Sequence, residues 1–139
     1  MKIRPFDEDD RQAIVALWSD CGLVVPWNDP NKDIDRKLTK DRDLFLVAEL
    51  GQRIVASVMG GYEGHRGWIN YLAVCPQHQR QGLGRQMMAA IESALNDRGC
   101  PKINLQVRSS NQQVVDFYLA LGYKMDDVVS LGKRLQEDR

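Results

Sequence analysis

The segment Val74-Cys75-Pro76-Gln77-His78-Gln79-Arg80-Gln81-Gly82-Leu83-Gly84-Arg85 constrains this chain more than any other. An apolar run, Ile69–Val74, feeds a turn at Pro76, and Gly82 and Gly84 then open a helix. A strand, a polar loop and a helix N-terminus in that order aim backbone N–H groups at a phosphate. Glycines at 82 and 84 keep Cβ atoms away from the main chain and allow positive φ. The amides of Arg80, Gln81, Gly82, Leu83, Gly84 and Arg85 can each donate to a compact anion. The helix dipole adds up to about 0.5–1 kcal/mol at an exposed terminus. Arg80 and Arg85 can contribute charge-assisted hydrogen bonds.

Two owners of glycine-rich loops are excluded by their missing parts. A dinucleotide fingerprint needs a third glycine three residues after the second, where this chain has Met87, and an acidic residue near the end of the next strand. A nucleoside-triphosphate loop needs Gly-Lys-Ser/Thr, and this chain has Gly84-Arg85-Gln86.

The rest of the chain reads as elements around that loop. Lys2–Phe6 alternates as a first strand, Asp7–Asp10 caps a helix carrying Ile14, Leu17, Trp18 and Cys21, and a short helix covers Lys32–Thr39. Leu44–Leu50 and Arg53–Tyr62 pair across Gly51-Gln52, with Gly60-Gly61 marking a bulge or a close approach. Trp68–Val74 is apolar enough for a central strand buried on both faces. The glycine loop leads into a helix over Leu83–Arg98, then a strand over Ile103–Val107 parallel to the one before. A helix capped by Asn111 runs over Gln112–Leu121, and a last edge strand covers Val128–Arg134. The fold class is therefore α/β with a mixed sheet: antiparallel strands first, then a parallel pair.

With 139 residues, 43% of them hydrophobic and 27% charged, the chain is expected to form one domain over residues 1–139. A formal net charge of zero argues against general affinity for nucleic acid or an anionic membrane. No apolar window is long enough to span a bilayer, and Met1–Asp10 lacks the apolar core of a signal peptide. The 3 cysteines, Cys21, Cys75 and Cys100, lack metal-ligand or Cys-x-x-Cys spacing, which points to free thiols in a reducing cytoplasm. With only 2 histidines, no metal site is expected.

Gln79-x-x-Gly82-x-Gly84 behind Leu72-x-Val74-x-Pro76 resembles the acyl-CoA motif of the GNAT N-acetyltransferases. Asn111 followed by Phe117-Tyr118-x-x-Leu121-Gly122-Tyr123 resembles that family's second signature. Element order matches from Met1 to about Leu135. Trp27-Asn28-Asp29-Pro30, Gly60–Gly67 and Ser130–Arg134 further resemble the bacterial YpeA-type branch. The resemblance implies a GNAT-like fold, acetyl-CoA as co-substrate without a metal, and transfer to an amine acceptor, either a small molecule or a peptide or protein. It implies that backbone groups of Leu72, Ala73 and Val74 hold the pantetheine arm and that a Val74 amide stabilises the oxyanion. Gln79 through Arg85 would hold the pyrophosphate, and Asn111 would both cap its helix and touch CoA. Tyr118 would protonate the departing thiolate and also border the cofactor. For the base, Glu63 is the first candidate and His65 the second, with ordered water as the alternative. Tyr62, Asn70, Tyr71, Trp27 and Asn28 would shape the acceptor side. Homodimerisation through the C-terminal strands is a family-level expectation. The loop does not separate acetyl from other acyl donors, nor an enzyme from a CoA-binding module.

Overall fold

Alternating and continuous apolar runs build a sheet of 5 strands in the order β1-β2-β3-β4-β5, in a computed structural model that describes residues 1–138. The strands are β1 (Lys2–Pro5), β2 (Phe45–Leu50), β3 (Arg53–Tyr62), β4 (Gly67–Val74) and β5 (Ile103–Leu105). The helices are α1 (Arg11–Asp20), α2 (Pro30–Lys37), α3 (Leu83–Asp97) and α4 (Gln112–Ala120). Strands β1 to β4 are antiparallel to their neighbours, and β5, reached through α3, runs parallel to β4. Gly51 and Gln52 turn the β2–β3 hairpin with φ of 54° and 67°, the left-handed pair whose twist matches the flanking strands.

Each face of the sheet carries its own core. In β2, Leu46 and Ala48 face α3 and α4, whereas Phe45 and Val47 face α1 and α2, the two-residue period of a pleated strand. Met87, Met88, Ile91 and Leu95 of α3 are buried on the first face. Ile14, Leu17 and Trp18 of α1 and Ile34 of α2 are buried on the second. Helix α2 starts two residues before the predicted Lys32. Pro30 suits a first turn that needs no N–H, and the Asp29 carboxylate accepts the Asn31 amide at 2.9 Å.

Gly60 turns out to be a close approach. A Cβ there would lie 2.7 Å from Ile91 Cδ1 and Cγ1, so the glycine lets α3 settle onto β3. Gly60→Val is therefore expected to cost about 1–3 kcal/mol through overpacking, read as a lower urea midpoint at constant slope. An unchanged midpoint would show that Ile91 simply moves aside.

Further expectations from sequence differ from the structure, and β5 ends at Leu105 instead of Val107. β4 is not buried on both faces: Trp68 is 40% exposed and Asn70 is exposed, because α1 and α2 do not reach over the start of β4. Among the described residues no strand forms over Val128–Arg134. β5 offers a ladder of only 3 residues, and the tail meets it through side chains instead. Lys102 and Asn104 donate to the Asp126 carboxylate, at 3.0 and 2.8 Å, and Gln106 Nε2 donates to Ser130 Oγ at 2.5 Å.

The tail ends as a strap over α2. The buried Asp138 carboxylate accepts from Arg36 Nη2 at 2.7 Å and from the Asp29 amide at 2.9 Å. Lys32 Nζ donates to its carbonyl at 3.0 Å. The Arg36 guanidinium and the Asp29 amide hold the Asp138 carboxyl at about 2, below its usual 3.8. A depressed carboxylate stabilises its bound state above the free value and loses that stabilisation as pH falls through the bound one. The strap should therefore be secure above about pH 4 and release as pH drops toward 2. Asp138→Asn should mimic release at neutral pH, seen as faster proteolysis of residues 128–138. Equal proteolysis rates would argue against the anchor.

Candidate functional site

The centre of the site is a break in the pleat of β4. Ser57 pairs with Ala73 and Met59 with Asn70, so Val58 alone faces Tyr71 and Leu72. Tyr71 is the bulged residue, with φ of 52°, an uncommon left-handed conformation for a bulky side chain. The extra residue reverses the alternation. Ile69 points to the α3/α4 core, Tyr71 and Ala73 to the α1/α2 core, and Leu72 and Val74 back to α3/α4. Side-chain contacts hold this geometry from the α1 side. Ser57 Oγ donates to the Tyr71 carbonyl at 2.8 Å and accepts the Trp18 indole N–H at 2.9 Å. The Trp18 ring stacks on Tyr71 at 3.8 Å between centroids, and the Tyr71 hydroxyl donates to Asp33 Oδ2 at 2.6 Å.

Beyond the bulge the parallel pair opens. β5 pairs with β4 only from Gly67 to Ile69, against Ile103 to Leu105. Among the described residues the β5-facing edge of Leu72, Ala73 and Val74 has no strand partner, so a wedge opens there between two main chains.

The glycine loop closes the wide end of that wedge. Gln79 Nε2 donates to the Val74 carbonyl at 3.0 Å and ties the loop to β4. Arg80 and Gly82 are both left-handed, φ 67° and 82°, with Gln81 between them. Gly82 is the N-cap of α3 and has no side chain to cap it. The first helical bond comes from the Gln86 amide to the Gly82 carbonyl at 3.1 Å. The amides of Leu83, Gly84 and Arg85 thus have no helical acceptor. The two glycines act for different reasons. Nothing crowds Gly82, so its φ is what matters, whereas a Cβ on Gly84 would meet Phe117 Cζ at 3.2 Å and Val74 Cγ2 at 3.8 Å. Gly84 therefore brings the start of α3 against both α4 and the end of β4.

Tyr118 sits on α4 beside that junction, 8% exposed, in the core that also holds Leu83 and Met87. Its ring meets Phe117 and Tyr123 edge-on at 5.1 and 5.6 Å. Burial pushes its phenol up to about 12, so it keeps its proton at neutral pH. Asn111 Oδ1 accepts the Val114 amide at 3.4 Å and caps α4.

Glu63 and His65 stand elsewhere. Tyr62 pairs with Gly67, so both lie at the opposite end of β4 from Val74, seven residues (67 to 74) or about 23 Å of strand away. The exposed Glu63 carboxylate accepts the amides of His65, at 2.6 Å, and Arg66. Those amides hold its carboxyl below the usual range. Its visible work is to close a turn. Tyr62 belongs to the same end, its hydroxyl donating to the Gly64 carbonyl at 3.2 Å. Cys75 donates to Gln77 Oε1 at 2.6 Å, and Cys21 donates to the Val74 carbonyl at 3.3 Å. Burial raises the Cys21 thiol, the opposite of nucleophile activation. Among the described residues no group of His, Cys, Asp and Glu gathers as metal ligands. Ser57 and Asp33 are the positions the sequence did not single out, and no local pattern marks either.

An acetyltransferase (GNAT) family model matches residues 11–123. The chain is 51% identical over 139 residues to an acetyltransferase of Pectobacterium atrosepticum, covering 100% of this chain and 99% of the other. It is 50% identical, at the same coverage, to an acetyltransferase of Sodalis glossinidius. The Escherichia coli ribosomal-protein-S18-alanine N-acetyltransferase shares the fold at TM-score 0.75 and 24% identity, over 87% of this chain and 76% of that one. An aminoglycoside 6'-N-acetyltransferase from Acinetobacter haemolyticus does so at TM-score 0.77 and 16% identity, over 98% and 100%. The family match and these full-length relatives show that the chain belongs to the GNAT acetyltransferase family.

Proposed function

We propose that this acetyltransferase moves the acetyl group of acetyl-CoA directly onto a primary amine within one ternary complex. The observation that carries the reading is the free β4 edge at Leu72–Val74 leading straight to the unsatisfied amides of Leu83–Arg85. An extended amide-bearing arm would add to that edge as a strand, and its phosphates would meet the helix start. The Val74 amide is the donor aimed at the thioester oxygen, where negative charge develops as nitrogen attacks. Arg80 and Arg85 flank the phosphates and Asn111 borders the arm. The new C–N bond forms as the C–S bond breaks. Tyr118 gives its proton to the leaving sulfur and recovers one from solvent, while the amine's proton leaves through water. Water fills that role because Glu63 is engaged at the far end of β4. The free state of all three cysteines supports a reducing compartment, the cytoplasm.

Calorimetry with acetyl-CoA, followed by thiol release over a panel of amines, tests the reading. Saturable binding and amine-dependent thiol release are expected. Binding without turnover on any amine would replace the enzyme with a CoA-binding module.

A further inference from the structure

We infer that the acceptor is a compact amine bearing a carboxylate, which Arg108 and Arg134 hold at the α1/α2 side of the wedge. The inference rests on the acetyl transfer proposed above.

The loop between α1 and α2 brings Trp27 and Asn28 against the bulge. Asn28 Nδ2 donates to the Tyr71 hydroxyl at 3.3 Å and also to Asp33. On its other side Asn28 Oδ1 accepts from Arg134 Nη2 of the tail at 3.2 Å. Next to it the Arg108 guanidinium carbon lies 5.8 Å from the centre of the Trp27 ring, which is 47% exposed. Arg108 follows β5 by three residues (105 to 108), so it reaches across from the wall of the wedge opposite Leu72–Val74. One short arc thus joins the bulge, an open indole and two guanidiniums.

The charges in this arc do not cancel. Arg36 is shared between Asp33 at 3.1 Å and Asp138 at 2.7 Å, so Arg36, Arg108 and Arg134 together outnumber those two carboxylates by one charge. Arg108 and Arg134 have no carboxylate partner among the described residues, although the chain as a whole is neutral. The Arg108 guanidinium beside the exposed indole is a planar fork suited to a carboxylate, and Arg134 is tied to the neighbouring Asn28. Arg134 and Trp27 line an open hollow of about 730 Å³, while Arg108 lines a second, larger cavity together with Asn70 and Tyr118. The strap anchored at Asp138 runs over the same loop, which favours a compact molecule over a passing polypeptide. A carboxylate held at the two arginines leaves the amine of the same molecule free to point past Tyr71 to the β4 edge. A free amino acid has this chemistry.

The experiment compares free amino acids with their matched carboxamides. Trp fluorescence of the protein without acetyl-CoA reads binding, and thiol release reads kcat/KM. The acids should bind and react at least about tenfold better than the carboxamides, the scale of one charge-assisted bond. Arg108→Gln or Arg134→Gln should shrink that gap to within about twofold. Arg108→Lys, which keeps charge but loses the fork, should fall between. Lys2→Gln, an equally exposed cation on β1, should leave the gap intact. Equal handling of acids and carboxamides, or a gap that survives both arginine substitutions, would overturn the inference. Loss of acetyl-CoA binding in calorimetry would instead overturn acetyl transfer, and the titration without acetyl-CoA would still decide the carboxylate preference.

Discussion

Tyr118→Phe is expected to lower kcat by about 10²–10³-fold, the contribution of a positioned general acid, with little change in acetyl-CoA affinity. The substitution removes one oxygen and preserves the ring. The edge-on contacts with Phe117 and Tyr123 and the burial beside Leu83 and Met87 survive it. A fall in kcat with retained binding therefore reports on the proton and not on packing. The pH profile supplies a second reading. Rate should rise with pH as the amine loses its proton, and no falling limb from this phenol should intervene before the region of about 12 to which burial has pushed it. An unchanged kcat in the Phe variant would remove Tyr118 from the chemistry.

Trp18→Ala should be the most damaging single change to the fold, costing about 3–5 kcal/mol. The indole is fully buried, stacked on Tyr71 and 6.1 Å from Phe45, and its N–H is satisfied by Ser57. Its loss leaves a void over Tyr71, whose backbone is left-handed, so the bulge should loosen together with the core. Urea denaturation reads the first effect and the KM for the acceptor the second. Trp18→Phe, which keeps a ring over Tyr71 and drops the bond to Ser57, should lose less of both. A loss below about 1 kcal/mol for the alanine variant would mean that the α1 face can collapse around the gap.

Most of the scaffold was legible because its signals are local. β3 runs from Arg53 to Tyr62 and α3 begins at Leu83, as the turn residues and the apolar stripe indicate. The glycine loop was readable because Gly82 takes a left-handed turn that glycine favours and Gly84 lets α3 come close to Phe117. The bulge left no such trace. Tyr71, Leu72, Ala73 and Val74 are all apolar or aromatic, so a reversal of the pleat changes no pattern that a two-residue period could reveal. The last strand failed for a related reason: Val128–Arg134 has strand composition, but pairing depends on the length of β5, which is not encoded near it. Glu63 illustrates a third limit. Its sequence distance from β4 is small, yet an antiparallel return places it at the far end, where it closes its own turn.

The geometry of β4 has a further meaning. Delete Tyr71 on paper and Ser57 and Met59 face Ala73 and Asn70 across an unbroken ladder, with Ile69, Leu72 and Val74 all on one side and Ala73 on the other. The α1/α2 core, however, would lose the ring stacked on Trp18 and the hydroxyl that reaches Asp33. The ladder is complete without Tyr71, whose left-handed backbone costs about 1–3 kcal/mol and is held in place by its side-chain contacts with Trp18 and Asp33. Removing that one residue would trade the bulge for an unbroken ladder and leave a gap against Trp18.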